Sequence, residues 1–338
     1  MTTPTESSPK PRPGWTLLAV GLLFIAAAAA VVTALRGPAP ASGAAAGTAQ
    51  KNVDDVLNAV LAFKRDGENA KAEAVLKQAI AEFPADPRLH VEFAEVLAST
   101  SRPAEALAHY EKALAIGPRD AQTEFAAGTA AFMADNLTAA ETHYAAAQSA
   151  DKTDWKAPLF LAQIQLKQGS PAKAEEAKKN LLLAAGLNPD TATPWGSLAE
   201  IALRENKPAI ALQHIKKARE LEPRVTLWRV IEARALKRDN QPEAALQVLI
   251  GLDRAQQREP GVMQTMAECF GMLNRPQDAA AMYAKASDTD INNGPWAMEA
   301  ALWLEKSGEK QRAIIYATRA AGEDVAGAAE LLARLRER

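Results

Sequence analysis

Residues 87–120 read PRLHVEFAEVLASTSRPAEALAHYEKALAIGPRD, and this stretch decides the fold. It holds two amphipathic runs. Phe93, Ala94 and Leu97 share one face of the first; Ala106, Leu107, Tyr110, Ala113 and Leu114 share one face of the second. Spacings of three, four and seven predict helices. Ser101-Arg102-Pro103 predicts a turn between them, with proline at the start of the second helix, where its missing N–H costs nothing. Gly117-Pro118 ends that helix.

Working outward, the unit recurs. Ala106 has equivalents at Ala72, Ala140, Ala177, Ala211, Ala245, Ala279 and Ala313, at steps of 34 residues except for one of 37. A second small position runs in parallel through Ala94, Gly128, Ala162, Ala199, Ala233, Ala267 and Ala301 with the same steps. A fixed period of this length marks stacked helix pairs. Small residues are required where two helix backbones cross closely, and Leu97, Tyr110 and Tyr144 fill the space beside them.

Eight copies follow, at residues 53–86, 87–120, 121–154, 155–191, 192–225, 226–259, 260–293 and 294–327. Copy four is longer: Gly169 to Ala177 spans 8 residues where Asn206 to Ala211 spans 5. The three extra residues either widen the turn or lengthen the second helix. Residues 324–338 read as a closing helix with Val325, Ala328, Leu332 and Leu335 against the stack and a charged outer face, as repeat arrays need for solubility.

This pattern resembles the tetratricopeptide repeat family. Trp195, Leu198, Ala199, Ala211, Ala218 and Pro223 meet its small–large signature in one copy, and Phe93, Ala94, Leu97, Ala106, Tyr110, Ala113 and Pro118 in another. The resemblance covers about residues 53–323. It implies an all-α superhelix of helix pairs, with the first helix of each pair lining a concave face and positions 2, 5, 9 and 12 of each copy pointing into it. Those positions are Gln122, Phe125, Thr129 and Phe132 in copy three, Lys156, Leu159, Gln163 and Leu166 in copy four, and Thr193, Gly196, Glu200 and Leu203 in copy five. The candidate docking surface for a partner peptide or helix is therefore the apolar line Phe125, Phe132, Leu159, Leu166 and Leu203, against the alternative that these residues pack under neighbouring copies. Some family members clamp a C-terminal carboxylate with Lys and Asn at positions 5 and 9. Here Leu57, Leu61, Val91 and Glu95 stand there, so that clamp is absent. Arg234, Lys237 and Arg238 cluster in copy six as a candidate patch for an acidic partner, against the simpler reading of a solvated face.

The rest of the chain adds a membrane expectation. Residues 1–14 are polar and proline-rich, the composition of a disordered tail. Residues 15–35, WTLLAVGLLFIAAAAAVVTAL, carry no charge and match the ~20 apolar residues that cross a bilayer. A cleaved signal is the rival reading, but a signal core runs only about 7–15 residues. Lys10 and Arg12 before the run, against Arg36 after it, point the N-terminus to the cytoplasm and the array outward. The alanine-rich composition suggests a bacterial chain, with the array in the periplasm and a single pass through the inner membrane. Residues 36–51 read as an Ala/Gly/Pro-rich linker.

Chemistry is sparse. A net charge of −2 argues against a nucleic-acid surface, and the single cysteine excludes an internal disulfide. There is no G-x-x-x-x-G-K-[ST], G-x-S-x-G or H-E-x-x-H. His109, His143 and His214 share one register and His90 stands apart. Two histidines in adjacent copies make a weak metal site, and repeat inheritance explains the register. Cys269 reads as a buried, inert thiol. No cofactor or metal is expected. The expected function is a non-catalytic, membrane-anchored scaffold or assembly factor. Bacterial proteins of this architecture include accessory factors for secretion, envelope assembly and cytochrome maturation, which is what the resemblance implies. The alternatives are a soluble or secreted co-chaperone with a cleaved signal, or an enzyme regulator on the cytoplasmic face.

Overall fold

The computed structural model describes residues 47–337. Among them all regular structure is helical: 17 α-helices, one 3-10 turn at Gln256–Arg258, and no strand. Two helices form each copy, as in Pro87–Ser99 with Pro103–Ile116 and Ala121–Met133 with Leu137–Ala150.

The turn inside each copy has one geometry. Its fifteenth residue is left-handed in all eight: Gly67, Ser101, Asp135, Gly169, Asn206, Asn240, Asn274 and Gly308, with φ between 54° and 86°. Glycine, asparagine and aspartate tolerate that region best. The residue after it then reaches back to close the helix, as Arg102 N–H does to the Leu97 carbonyl at 2.9 Å and Glu309 N–H to that of Leu304 at 2.9 Å. Proline opens the next helix at Pro103, Pro171, Pro208, Pro242 and Pro276. The last residue of several copies caps the following helix. Asp86 accepts from Arg88 N–H, Asp120 from Thr123 N–H and Asn293 from Trp296 N–H.

The small-residue register is the core. All eight second-helix alanines, from Ala72 to Ala313, have 0% exposure, and so do Ala94, Ala162, Ala199, Ala233, Ala267 and Ala301. The chain divides into two compact units at residues 168 and 169. In the first, Leu76, Leu89, Leu97, Tyr144 and Ile164 fill the space around the close crossings; in the second, Leu181, Leu203, Ile215, Ile231, Leu249 and Leu304 do so.

One boundary that the sequence left open is decided, and several others depart from the sequence reading. The three extra residues of copy four lengthen the second helix: Pro171–Leu187 has 17 residues where the equivalent helix of copy five has 14. Ser170 caps it by accepting from Lys173 N–H, so the turn keeps its usual size and the insertion continues the helix. In copy six the second helix stops after 9 residues at Ile250. Gly251 ends it, and Asp253 then holds the chain in a capped loop by accepting from Ala255 and Gln256 N–H. The closing helix is Ala328–Glu337, because Asp324 and Gly327 are both left-handed and break any earlier start. Its buried residues are Ala328, Leu331 and Leu335, with Leu332 only half-buried. The first helix begins at Gly47, within the stretch read as linker, where no proline interrupts.

No helix among the described residues is long and apolar enough to cross a membrane. The apolar run at 15–35, the tail at 1–14 and the linker up to residue 46 lie outside the described residues.

Candidate functional site

The first helices of neighbouring copies meet through charged side chains as well as alanines. Lys64, twelfth in copy one, reaches Glu92 at 2.8 Å and also Glu95. Burial alone would lower its ammonium pKa, but the two carboxylates outweigh burial and hold it above the ordinary value. Arg88 spans to Asp54 at 2.6 Å. In the second unit Arg234 pairs with Glu200 at 2.6 Å, Lys237 with Glu268, and Arg334 of the closing helix with Glu305 at 2.6 Å. Arg238 donates to the Leu203 carbonyl. Each such partly exposed pair contributes about 0–1 kcal/mol. Their effect lies in register, since one copy's charge is answered by the next copy's.

This alters the reading of the basic cluster. Arg234, Lys237 and Arg238 are not a bare patch: each is engaged by a carboxylate or carbonyl of an adjacent copy. The signal was present in the sequence as opposite charges 31 and 34 residues apart, Lys64 with Glu95, Lys237 with Glu268, and Glu200 with Arg234. It is visible only once the period is used as a ruler for charge.

The apolar line divides in the same way. Phe125, Leu159 and Leu203 are 9%, 5% and 1% exposed. Phe125 stands edge-on to Tyr144 and to Phe160, both with ring centroids at 5.2 Å. These three side chains are interior. Phe132 and Leu166 are half-buried, at the twelfth position of consecutive copies in the first unit. Lys167 lies over the Phe132 ring at 5.1 Å and pairs with Asp135 at 2.7 Å. Met133, beside Phe132, is 50% exposed. In the second unit the fifth and twelfth positions of copies five and seven are Gly196 and Gly271. Trp228 and Trp303 of the following copies cover them, so closely that an added Cβ would fall 2.1 and 2.7 Å from the rings.

Each histidine meets a partner within its own copy, and His143 Nε2 also lies 3.7 Å from Glu111 of copy two. The fourth residue of a copy meets the twenty-third. His90 Nδ1 lies 3.0 Å from His109 Nδ1, Glu124 Oε2 lies 2.7 Å from His143 Nδ1, and the rings of Trp195 and His214 stack at 5.9 Å. Glu124 is 2% exposed; its other oxygen accepts no hydrogen bond and has the Arg119 guanidinium 3.6 Å away. No group of three residues suited to hold a metal ion occurs among the described residues. Cys269 is fully buried, and burial pushes its thiol up to about 11.

Burial also lowers His90, His109 and His214. His109 falls to about 4, through burial first and then the charges of Lys112 and His90, and His90 and His214 are lowered chiefly by burial. Well above pH 6.5 these rings are neutral folded and unfolded, so pH does not act through them. As pH falls from there toward about 4, the unfolded chain takes up protons that the folded His109 refuses, and stability falls. The melting temperature is expected to drop by several degrees across that window. His90→Gln with His109→Gln should flatten much of the drop, as a thermal melt followed by circular dichroism would read. An unchanged slope would place the sensitivity elsewhere.

Comparison with known proteins agrees with the geometry. Residues 57–121 match the tetratricopeptide repeat family model. Among solved structures, a tetratricopeptide repeat protein from Parabacteroides merdae superposes with a TM-score of 0.58 at 16% identity, over 75% of this chain and 99% of that one. The pilF protein of Pseudomonas aeruginosa gives 0.52 at 17% identity, over 65% of this chain and 97% of that one. A chain of the APC/C hetero-tetramer Cut9–Hcn1 gives 0.51 at 14% identity over 85% of this chain; the present chain spans 56% of that one. At such identities the likeness is one of fold. A comparison with curated protein sequences finds no match.

Proposed function

We propose that the chain is a non-catalytic, membrane-anchored scaffold that docks an extended or helical segment of a protein partner on the first-helix face of its tetratricopeptide-like array. The observation that carries this reading is the pair Phe132 and Leu166. Two large apolar side chains stand half-buried at one position of consecutive copies, while the other large residues of the line are enclosed. Stacked helix pairs hold such side chains rigidly, so little ordering entropy is lost when a segment lies across them. Lys167 over Phe132 and Asp135 beyond it give that apolar strip a polar rim. Residues 15–35 supply the membrane anchor, and the lysine and arginine before them support an array facing out of the cytoplasm, in a bacterium the periplasm.

Two experiments test the reading. A reporter active only outside the cytoplasm is fused after Arg338 and the cells are fractionated. Activity in the membrane fraction supports the anchored, outward-facing array. Activity in the soluble fraction would favour a cleaved signal and a secreted co-chaperone; a silent, well-expressed fusion would favour a regulator on the cytoplasmic side. For docking, the expected result for Phe132→Glu with Leu166→Glu is at least about tenfold weaker capture of the partner, with helicity and melting temperature nearly unchanged. A collapse of the melt would show that these two side chains are core.

A further inference from the structure

The ion pair that joins the sixth position of copy two to the twelfth of copy one has no equivalent between copies seven and eight. In copy two, Glu92 is sixth in its copy and pairs with Lys64, twelfth in the copy before. In copies eight and seven the same two positions are Glu299 and Gly271. Trp303 lies over Gly271 and is the hydrogen-bond partner of Glu299. No cation answers the Glu299 carboxylate among the described residues. Burial raises its pKa, and the neighbouring charge of Glu268 adds to the effect. An acid beside a second acid, half-withdrawn from water and without a counterion, sits in an unfavourable field that a cation would relieve.

A cavity of about 330 Å³ opens at this carboxylate, lined by Gln264, Glu268, Tyr283, Trp296, Met298 and Glu299 among others. Its walls are fixed. Trp296 Nε1 donates to Gln264 Oε1 at 3.1 Å, Gln264 Nε2 donates to Glu268 Oε1 at 3.0 Å, and Lys237 holds Glu268 from the preceding copy. Lys237 pairs with Glu268 and not with Glu299, which leaves Glu299 as the carboxylate of the cavity without a cation of its own. An indole, a phenol and a thioether supply apolar wall. That combination suits a side chain with a hydrocarbon stem and a charged head, which needs an apolar track, an aromatic face and a carboxylate at its end. The volume admits one long side chain and no folded element.

We propose that this cavity seats a basic side chain, arginine or lysine, of a partner segment docked on the first-helix face of the second unit, with its cationic head on Glu299 and its stem against Trp296 and Met298. The proposal rests on the reading of the array as a docking scaffold and gives that partner a chemistry: a basic residue at a fixed place in the bound segment.

The test uses the full-length chain in detergent, immobilised and panned against a library of random short peptides, in parallel with Glu299→Gln. Glutamine keeps the volume and an acceptor for the Trp303 N–H, so the variant folds. The expected result is a set of peptides sharing an arginine or lysine at one recurrent position. Their affinity, read by fluorescence polarisation, should weaken on the order of tenfold to a hundredfold on Glu299→Gln. Replacing the peptide's basic residue by glutamine should cost about the same, and the two losses should not add, as a double-mutant cycle requires for a direct contact. Glu330→Gln, at an exposed carboxylate of the closing helix, should change nothing; an equal loss there would mark diffuse charge attraction and overturn the proposal. Peptides without a recurrent basic residue, or affinities indifferent to Glu299→Gln, would overturn it while leaving the docking reading intact. If the unaltered chain selects no peptide at all, the docking reading itself fails, and the cavity proposal with it.

Discussion

Tyr144→Ala is expected to destabilise the first unit by about 3–5 kcal/mol, the range for truncating a fully buried aromatic ring. Tyr144 has 0% exposure and belongs to the second helix of copy three. Its ring lies against the backbone at Gly128, where an added Cβ would approach it to 2.9 Å. It meets Phe125 edge-on at 5.2 Å and is tilted against Phe160 of copy four at 5.5 Å. One side chain therefore joins both helices of its own copy to the first helix of the next. Removing it opens a cavity at a crossing already set by the glycine, and the helices cannot close further without moving the Ala140 contact. The hydroxyl is a separate, smaller matter. It shares a 3.1 Å hydrogen bond with Thr129 Oγ1, which also donates to the Phe125 carbonyl at 3.0 Å. Tyr144→Phe should cost only about 0.5–1.5 kcal/mol. Repeat arrays couple nearest neighbours, so the loss should be local. Hydrogen exchange should show faster opening in copy three and in the first helix of copy four, with the second unit near its original protection. A Tyr144→Ala chain that melts like the original would mean that this ring is not the joint between the copies.

What could be read from the residues was whatever the backbone demands in every copy. The alanine register, the turn position and the opening proline each answer a constraint of a single helix pair. They recur at 34 residues and are legible without knowing how copies stack. The same reasoning left the insertion of copy four open, because a widened turn and a longer helix have the same residue count. Ser170 and Pro171 settle it, as a cap and a first helical residue that keep the turn short. The docking line was harder. Whether a fifth or twelfth residue faces outward depends on the rotation between consecutive copies, which no residue within one copy encodes. Leu203 and Phe125 therefore prove to be interior while Phe132 and Leu166 do not. The basic cluster was read from three neighbours in sequence, yet its partners lie a period away, in Glu200, Glu268 and the Leu203 carbonyl. His109 was set beside His143 for the same reason, and it pairs with His90 because a helix pair brings residues 19 apart together before it brings residues 34 apart together.

Gly196→Ala puts the packing between copies to a sharper test, because two effects of opposite sign compete at one methyl group. In an open helix interior, alanine is favoured over glycine by about 1 kcal/mol. At Gly196 the new Cβ would sit 2.1 Å from Trp228 Cζ3 and 2.6 Å from Cη2, far inside contact distance. Trp228 has no easy retreat: it is 5% exposed, and its Nε1 donates to Glu222 at 2.9 Å. Overpacking of a rigid core costs about 1–3 kcal/mol, and so close an approach belongs in the upper part of that range, so the clash should win and leave the variant less stable by about 1–2 kcal/mol. Trp228→Leu removes the ring that clashes. In that background Gly196→Ala should turn from destabilising to neutral or stabilising, and the sign change would locate the cost at this one contact. Gly186 is the internal control. It lies in Pro171–Leu187 with nothing within 4 Å of an added Cβ, so Gly186→Ala should stabilise by up to about 1 kcal/mol through propensity alone. Urea titrations of the four variants and the parent would read all of these differences. If Gly196→Ala stabilised the chain as much as Gly186→Ala does, the tight seat of Trp228 on the preceding copy would be refuted, and with it the reason for a glycine at the fifth position of copy five.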